Sequence, residues 1–134
     1  GDEWAKSVPG SEKRIYQGGF HFIDFTDIKN PVETAIYQVP EVGSHNHWVE
    51  GDTLFAGYYY GGIRIVDISG ELMGDLYAQG REIAFFKGED PNGSTANITN
   101  VWGVIPYKGL IYFADLNNGL WAVRLVDNEP LGTN

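Results

Sequence analysis

Three segments of the chain repeat one another, and this repetition limits the possible folds more than any other feature of the sequence. The segments are GGFHFIDF at 18–25, GGIRIVDI at 61–68 and NGLWAVRL at 118–125. Successive copies begin 43 and 57 residues apart, which matches the period of a four-stranded propeller blade once a loop insertion is allowed. The sequence therefore predicts a tandem array of similar sheets.

Glycine and aspartate mark the same positions in these copies. A glycine leads each repeated strand, at Gly19, Gly62 and Gly119. Glycine reaches the positive φ angles that tight hairpin turns require. Asp24 and Asp67 end their strands at the same register, where a carboxylate can accept amide hydrogens from the following turn. The third copy has Arg124 there. We expect these glycines and aspartates to be structural.

The composition favours an all-β fold. The chain holds 18 glycines and is 14% aromatic, as many short strands joined by tight turns require. The best helical candidate, residues 71–79, is interrupted by Gly74. We predict a β-propeller segment of about two and a half four-stranded blades, with residues 1–13 as an N-terminal arm or partial blade and residues 14–134 as one repeat domain. The apolar pattern of residues 20–25 predicts a strand that is buried on both faces.

Charge and cysteine content exclude several classes of function. The chain has 18 acidic and 9 basic residues and a net charge of −9, so a polyanion such as nucleic acid would be repelled. Cysteine is absent, which removes disulfides and thiolate metal sites. No stretch reaches the roughly 18 to 20 apolar residues of a membrane helix. We therefore predict no nucleic acid partner and no transmembrane segment in this sequence.

Two longer segments resemble the repeats of the LVIVD-repeat β-propeller family. They are SHNHWVEGDTLFAGYYYGGIRIVDIS at 44–69 and NVWGVIPYKGLIYFADLNNGLWAVRL at 100–125. The motifs are His45 near the start of the inner strand, the Gly51–Asp52 turn and the strand IRIVDIS at 63–69. The resemblance covers about residues 18–125. It implies a bacterial or archaeal surface or exported propeller, with a periplasmic or cell-surface location, and it implies no particular reaction.

His45 and His47 form the sharpest chemical pattern in the sequence. Two residues apart on one predicted strand, their imidazoles would leave the same face and could reach one metal ion. A zinc or iron site needs a further ligand, and His21 occupies a different strand position. The alternative is a structural role, with the imidazoles hydrogen-bonded to nearby backbone. No cofactor is predicted.

Aromatic side chains supply candidate contacts with a partner. On an extended strand Tyr58 and Tyr60 would leave one face and Tyr59 the other. Trp4 is an isolated aromatic in a polar arm and could anchor to another subunit. The alternative is that these rings fill space between blades.

The small number of repeats suggests how the chain works. An array this short would expose strand edges and an apolar face, so we expect a protein partner or missing blades to complete it. We predict a non-catalytic interaction or scaffold module, an accessory structural subunit on the extracytoplasmic side of a membrane-associated assembly such as a membrane-anchored complex. The competing hypothesis is a metal-dependent, lactonase-like propeller hydrolase that uses His45 and His47 at the channel mouth.

Overall fold

The fold is all-β, as the sequence predicts. The computed structural model describes residues 4–7 and 14–126, and the side chains from residue 17 onward. Within these residues the chain forms strands, turns and one short 3-10 segment. No helix in this part of the chain is long and apolar enough to cross a membrane.

The N-terminal strands pair with each other in a two-stranded sheet of their own. Strands β1 (Trp4–Ser7) and β2 (Arg14–Gln17) form an antiparallel pair. Of the predicted arm, residues 1–13, only the strand β1 is described, and the Trp4 side chain lies outside the described side chains.

Sheet I contains β3 (Phe20–Asp24), β4 (Val32–Tyr37) and β8 (Gly74–Asp75), in the order β3-β4-β8. β8 pairs with β4 in parallel, and the amide of Leu76 donates a hydrogen bond to the carbonyl of Ile36. The segment with the weak helical signal thus supplies an edge strand and a turn.

Sheet II is an antiparallel meander of four strands. It contains β5 (His47–Glu50), β6 (Thr53–Tyr58), β7 (Gly62–Asp67) and β9 (Glu82–Phe86), in the order β5-β6-β7-β9. A 3-10 turn, Tyr59–Gly61, joins β6 to β7. Gly62 has φ +77, and a Cβ atom there would lie 2.2 Å from the carbonyl oxygen of Phe86. Only glycine fits this position without a shift of the backbone.

Sheet III contains β10 (Val101–Tyr107), β11 (Leu110–Asp115) and β12 (Gly119–Val123), again as an antiparallel meander. Its register repeats that of sheet II. His47 pairs with Ala56 in sheet II, and Val104 pairs with Phe113 in sheet III, each residue 57 positions later.

Sheets I and II share their register as well, including an irregularity. Phe20 pairs with Tyr37 in sheet I, and Ile63 pairs with Phe86 in sheet II. A β-bulge lies at the equivalent point of both sheets, opposite Phe22 and Ile23 in sheet I and opposite Ile65 and Val66 in sheet II. The sequence repeat is therefore a repeat of strand pairing, bulge included.

Sheet II lies between sheets I and III. We call the face of sheet II that packs on sheet I its backward face, which carries Leu54, Ala56, Tyr58, Arg64 and Val66. The opposite, forward face packs on sheet III and carries Phe55, Ile63, Ile65 and Phe86. The same two names apply to the corresponding faces of the other sheets.

One sequence prediction about burial is wrong. β3 was expected to be buried on both faces, and Phe20, on its forward face, is buried. His21 and Ile23, which point to the backward side, are exposed. Sheet I therefore has an open backward face in the described part of the chain.

Candidate interaction surfaces

The two histidines of the predicted metal pair lie on opposite sides of sheet II. β5 begins at His47, so His45 precedes the strand rather than alternating along it. The His47 ring packs on Phe20 of sheet I, with ring centroids 5.0 Å apart, and the His45 ring packs on Trp102 of sheet III, also at 5.0 Å. The two imidazoles therefore do not face a common site in this structure, and the metal role of His45 and His47 stays a prediction.

The local contacts of His45 support the structural alternative. Its Nδ1 lies 2.8 Å from the carbonyl oxygen of Trp102, which also accepts the amide of Asn46. Burial lowers the pKa of His47, which favours the neutral imidazole against Phe20. Among the residues with described side chains, no three His, Asp, Glu or Cys residues are grouped closely enough to hold a metal ion.

An aromatic cluster of His45, Tyr59 and Trp102 lies where the loops leave sheets II and III. The Tyr59 and Trp102 rings meet edge to face, with centroids 6.2 Å apart. His45 and Trp102 occupy the same repeat position, 57 residues apart. Equivalent positions of adjacent sheets therefore contact each other directly.

The tyrosine run does not form the alternating strand that the sequence suggests, because β6 ends at Tyr58. Tyr58 is fully buried, and its hydroxyl donates to the carbonyl of Tyr37 at 3.1 Å. It packs in the core between sheets I and II, and its role as a partner contact stays a prediction that this packing does not support. Tyr60 lies in the 3-10 turn and is 53% exposed. Its role as a partner contact stays a prediction.

The repeated aspartates hold turns. Asp24 Oδ1 accepts the amide of Thr26 at 2.7 Å, and Asp67 Oδ1 accepts the amide of Ser69 at 2.8 Å. Hydrogen bonds from Thr26 and Ser69 hold the pKa of each carboxyl below its ordinary value. These bonds are the ones that the sequence pattern predicts.

The repeated glycines differ in why they are needed. Gly119 has φ +81 with open space around it, whereas Gly62 combines a positive φ with close contact to the backbone of β9. At Gly19 a Cβ atom would lie 3.1 Å from the carbonyl oxygen of Tyr37. Gly19 therefore serves close packing between β3 and β4.

A polar network between sheets I and II was not found from the sequence. Arg64 is buried, and its Nη1 donates to both carboxylate oxygens of Glu82, at 3.3 and 3.2 Å. The hydroxyl of Tyr37, from the facing sheet, donates to the same carboxylate. The Phe85 ring covers the guanidinium, whose central carbon is 4.7 Å from the ring centroid. The network joins the two sheets with directional bonds inside an apolar interface.

Asp115 is a second residue that the sequence analysis missed. It is buried at the end of β11 and accepts the amides of Asn117 and Asn118, at 2.8 and 3.0 Å. It also accepts the Thr99 hydroxyl and the amide of Asn100 at 2.8 Å. The carboxylate therefore fixes the long loop before β10 to the turn between β11 and β12. The signal was the sequence Asp-Leu-Asn-Asn-Gly at 115–119, at the end of a strand.

The forward face of sheet III is apolar and open. Its central members are Ile105, Tyr112 and Ala122, which lie opposite one another across the three strands. Leu120, on the same face, is 76% exposed and Tyr107 is 58% exposed. Scattered apolar residues are ordinary on a protein surface, but a contiguous apolar face marks an interaction site.

Comparison of the chain with family models, curated proteins and solved structures gives no match.

Proposed function

We propose that this chain is a non-catalytic interaction or scaffold module of the β-propeller type, in which open sheet faces bind a partner. The observation that carries the proposal is the forward face of sheet III. It has the register of the forward face of sheet II, where Phe55, Ile63 and Ile65 are buried against sheet III. The corresponding side chains of sheet III include Leu120, which is 76% exposed.

The internal interfaces indicate what kind of partner fits. The forward face of sheet I packs on sheet II, and the forward face of sheet II packs on sheet III. Each interface buries aromatic and aliphatic side chains from both sheets. Burial of such a side chain stabilises by roughly 1.5 to 3 kcal/mol, so an open face of this composition favours a sheet-like protein partner.

The propeller architecture, about two and a half four-stranded blades, is part of this proposal. Its support is the repeated register, the meander order of sheets II and III and the shared bulge. The assignment to the LVIVD-repeat family and the periplasmic or cell-surface location rest on the sequence resemblance. With them we propose that the partner belongs to a membrane-associated assembly.

A hydrolase built on His45 and His47 finds no support in the geometry. The rings face different sheets, so one ion cannot be bound by both as they stand. Neither ring is part of a larger group of ligands in the described side chains.

The test is the mass of the protein isolated under native conditions from the cells that make it. Multi-angle light scattering should give a mass well above the 14.9 kDa of this chain. Fractionation of the same cells should place the complex outside the cytoplasm. A stable, monodisperse 14.9 kDa species in native material would overturn the interaction role, and a cytoplasmic complex would overturn the location alone.

A further inference from the structure

A hydrogen-bonded histidine–glutamate pair on sheet I repeats the position of the buried arginine–glutamate ion pair on sheet II. His21 occupies the position of Arg64, because the two residues lie opposite Ile36 and Phe85 at equivalent points of their sheets. Glu33 likewise occupies the position of Glu82, since they lie opposite Ile23 and Val66. His21 Nδ1 lies 2.6 Å from Glu33 Oε2. Two basic–acidic pairs thus mark the backward faces of two successive sheets.

The two pairs differ in what covers them. The side chains of Arg64 and Glu82 are 10% and 19% exposed, because sheet I packs over them. Those of His21 and Glu33 are 50% and 52% exposed. The backward face of sheet I therefore carries a polar pair at the same position as the pair on the backward face of sheet II, which sheet I covers.

The complementary face is present on the same chain. On the forward face of sheet III, Tyr112, Leu120 and Ala122 stand 57 residues after Phe55, Ile63 and Ile65, which sheet III covers on sheet II. Among sheets I to III, two interfaces join a forward face to a backward face. The backward face of sheet I and the forward face of sheet III are open within the described side chains.

The electrostatics allow these two open faces to meet. The side chains on the forward face of sheet III that pair across its strands, Ile105, Tyr112 and Ala122, are uncharged at neutral pH. Covering His21 and Glu33 with them buries two side chains that already hydrogen-bond each other. Asp75, on the same face opposite Ile36, accepts the amide of Ala78. An apolar face would bury an isolated carboxylate only at high cost.

We infer that the forward face of sheet III binds the backward face of sheet I of a second copy of this chain. This inference rests on the proposed function and identifies the partner. The contact is head-to-tail, because each copy uses its forward face to bind one neighbour and its backward face to bind another. Repetition of the contact gives a closed ring or an open filament. It extends an interface that the chain already makes twice within itself.

The test uses the 134-residue chain alone, measured by size-exclusion chromatography with light scattering from about 1 to 200 μM. The expected result is a mass that rises with concentration to a multiple of 14.9 kDa. Leu120→Asp on the forward face and Ile23→Asp on the backward face should each remove the association. Circular dichroism and thermal unfolding should show that both variants stay folded.

The head-to-tail geometry makes a prediction for a mixture of the two variants. A Leu120→Asp copy keeps an intact backward face, and an Ile23→Asp copy keeps an intact forward face. The mixture should form one good contact and stop at a heterodimer of twice the chain mass. Ile28→Asp is the matched control, because Ile28 is 80% exposed in the loop after β3 and lies on neither face. It should associate as the unchanged chain does.

Several outcomes would overturn the second-copy inference. They are a monomer over the whole concentration range, association that survives both variants, and a mixture that does not form the heterodimer. If the isolated chain is monomeric and native material contains a different polypeptide, the inference fails and the proposed function stands. A monomer in native material removes both.

Discussion

The hydroxyl of Tyr37 gives a direct test of how sheets I and II are held together. Tyr37 is fully buried in the interface, and its hydroxyl donates to the carboxylate of Glu82, which Arg64 also binds. Tyr37→Phe removes this one donor and leaves the ring, so the apolar packing with Tyr58 is kept. The substitution therefore isolates the polar contribution.

The expected cost follows from the environment of the acceptor. A hydrogen bond to a charged group contributes about 1.5 to 3 kcal/mol. Glu82 retains two contacts with Arg64, and 19% of its side chain reaches solvent. Because these partly compensate the lost donor, we place the loss in the free energy of unfolding at about 2 kcal/mol.

Urea unfolding followed by tryptophan fluorescence at pH 7 measures this loss. With a denaturant slope of about 1.5 kcal/mol per molar, a loss of about 2 kcal/mol lowers the midpoint by about 1.3 M. In a Glu82→Gln background the same Tyr37→Phe change should cost about 1 kcal/mol less, since the acceptor no longer carries a charge.

Tyr60→Phe is the matched control for this measurement. It makes the same chemical change on a side chain that is 53% exposed, and the expected effect is within about 0.5 kcal/mol. Equal midpoints for Tyr37→Phe and Tyr60→Phe would refute the reasoning. So would a Tyr37→Phe cost that is unchanged in the Glu82→Gln background.

Three further outcomes can be measured in the same assay. Burial raises the pKa of Tyr37 and of Tyr58. Above a pH of about 10, the ordinary pKa of a tyrosine in the unfolded chain, only the unfolded chain loses these protons. The free energy of unfolding should therefore fall by about 1.4 kcal/mol per pH unit for each tyrosine. A titration in which stability stays flat from pH 9 to 11 would contradict this. Gly62→Ala should cost at least about 1 kcal/mol more than Gly119→Ala, because both have positive φ but only Gly62 meets the backbone of β9; similar unfolding midpoints would show that the close contact is unimportant. Asp115→Asn should cost about 2 kcal/mol, since this buried carboxylate accepts several hydrogen bonds, and hydrogen exchange at Asn100 should become faster; unchanged exchange there would remove its role in fixing the loop.

The strands could be predicted from the sequence because each copy of the repeat contains the same apolar alternation and glycine turns. The 57-residue offset aligns the sequence of β6 with that of β11 and the sequence of β7 with that of β12, and the structure gives the two hairpins the same register. The sequences of β4 and β9 occupy equivalent positions in sheets I and II. Period-2 patterning and glycine turns contain this information locally.

The site residues were harder to predict because their surroundings depend on which sheet covers which face. Side chains two residues apart leave the same face only when both residues belong to one strand. β5 begins at His47, so His45 lies outside it and its side chain is not held to that face. Tyr58 looked like a surface residue within an aromatic run, but sheet I packs over it. Arg64 and Glu82 are ordinary charged residues in the sequence, and their importance comes from burial alone.

The meander order of the sheets also has a consequence for how the chain folds. In sheet III, and in most of sheet II, each strand pairs with its neighbour in sequence, so most hydrogen-bonded contacts close short loops at small cost in chain entropy. The exception is β8, which returns to pair with β4 across an intervening sheet. In a chain organised in this way, each sheet can begin to form from strands that are close in sequence, before the sheets stack. We expect β8 to pair last, after sheets I and II have come together.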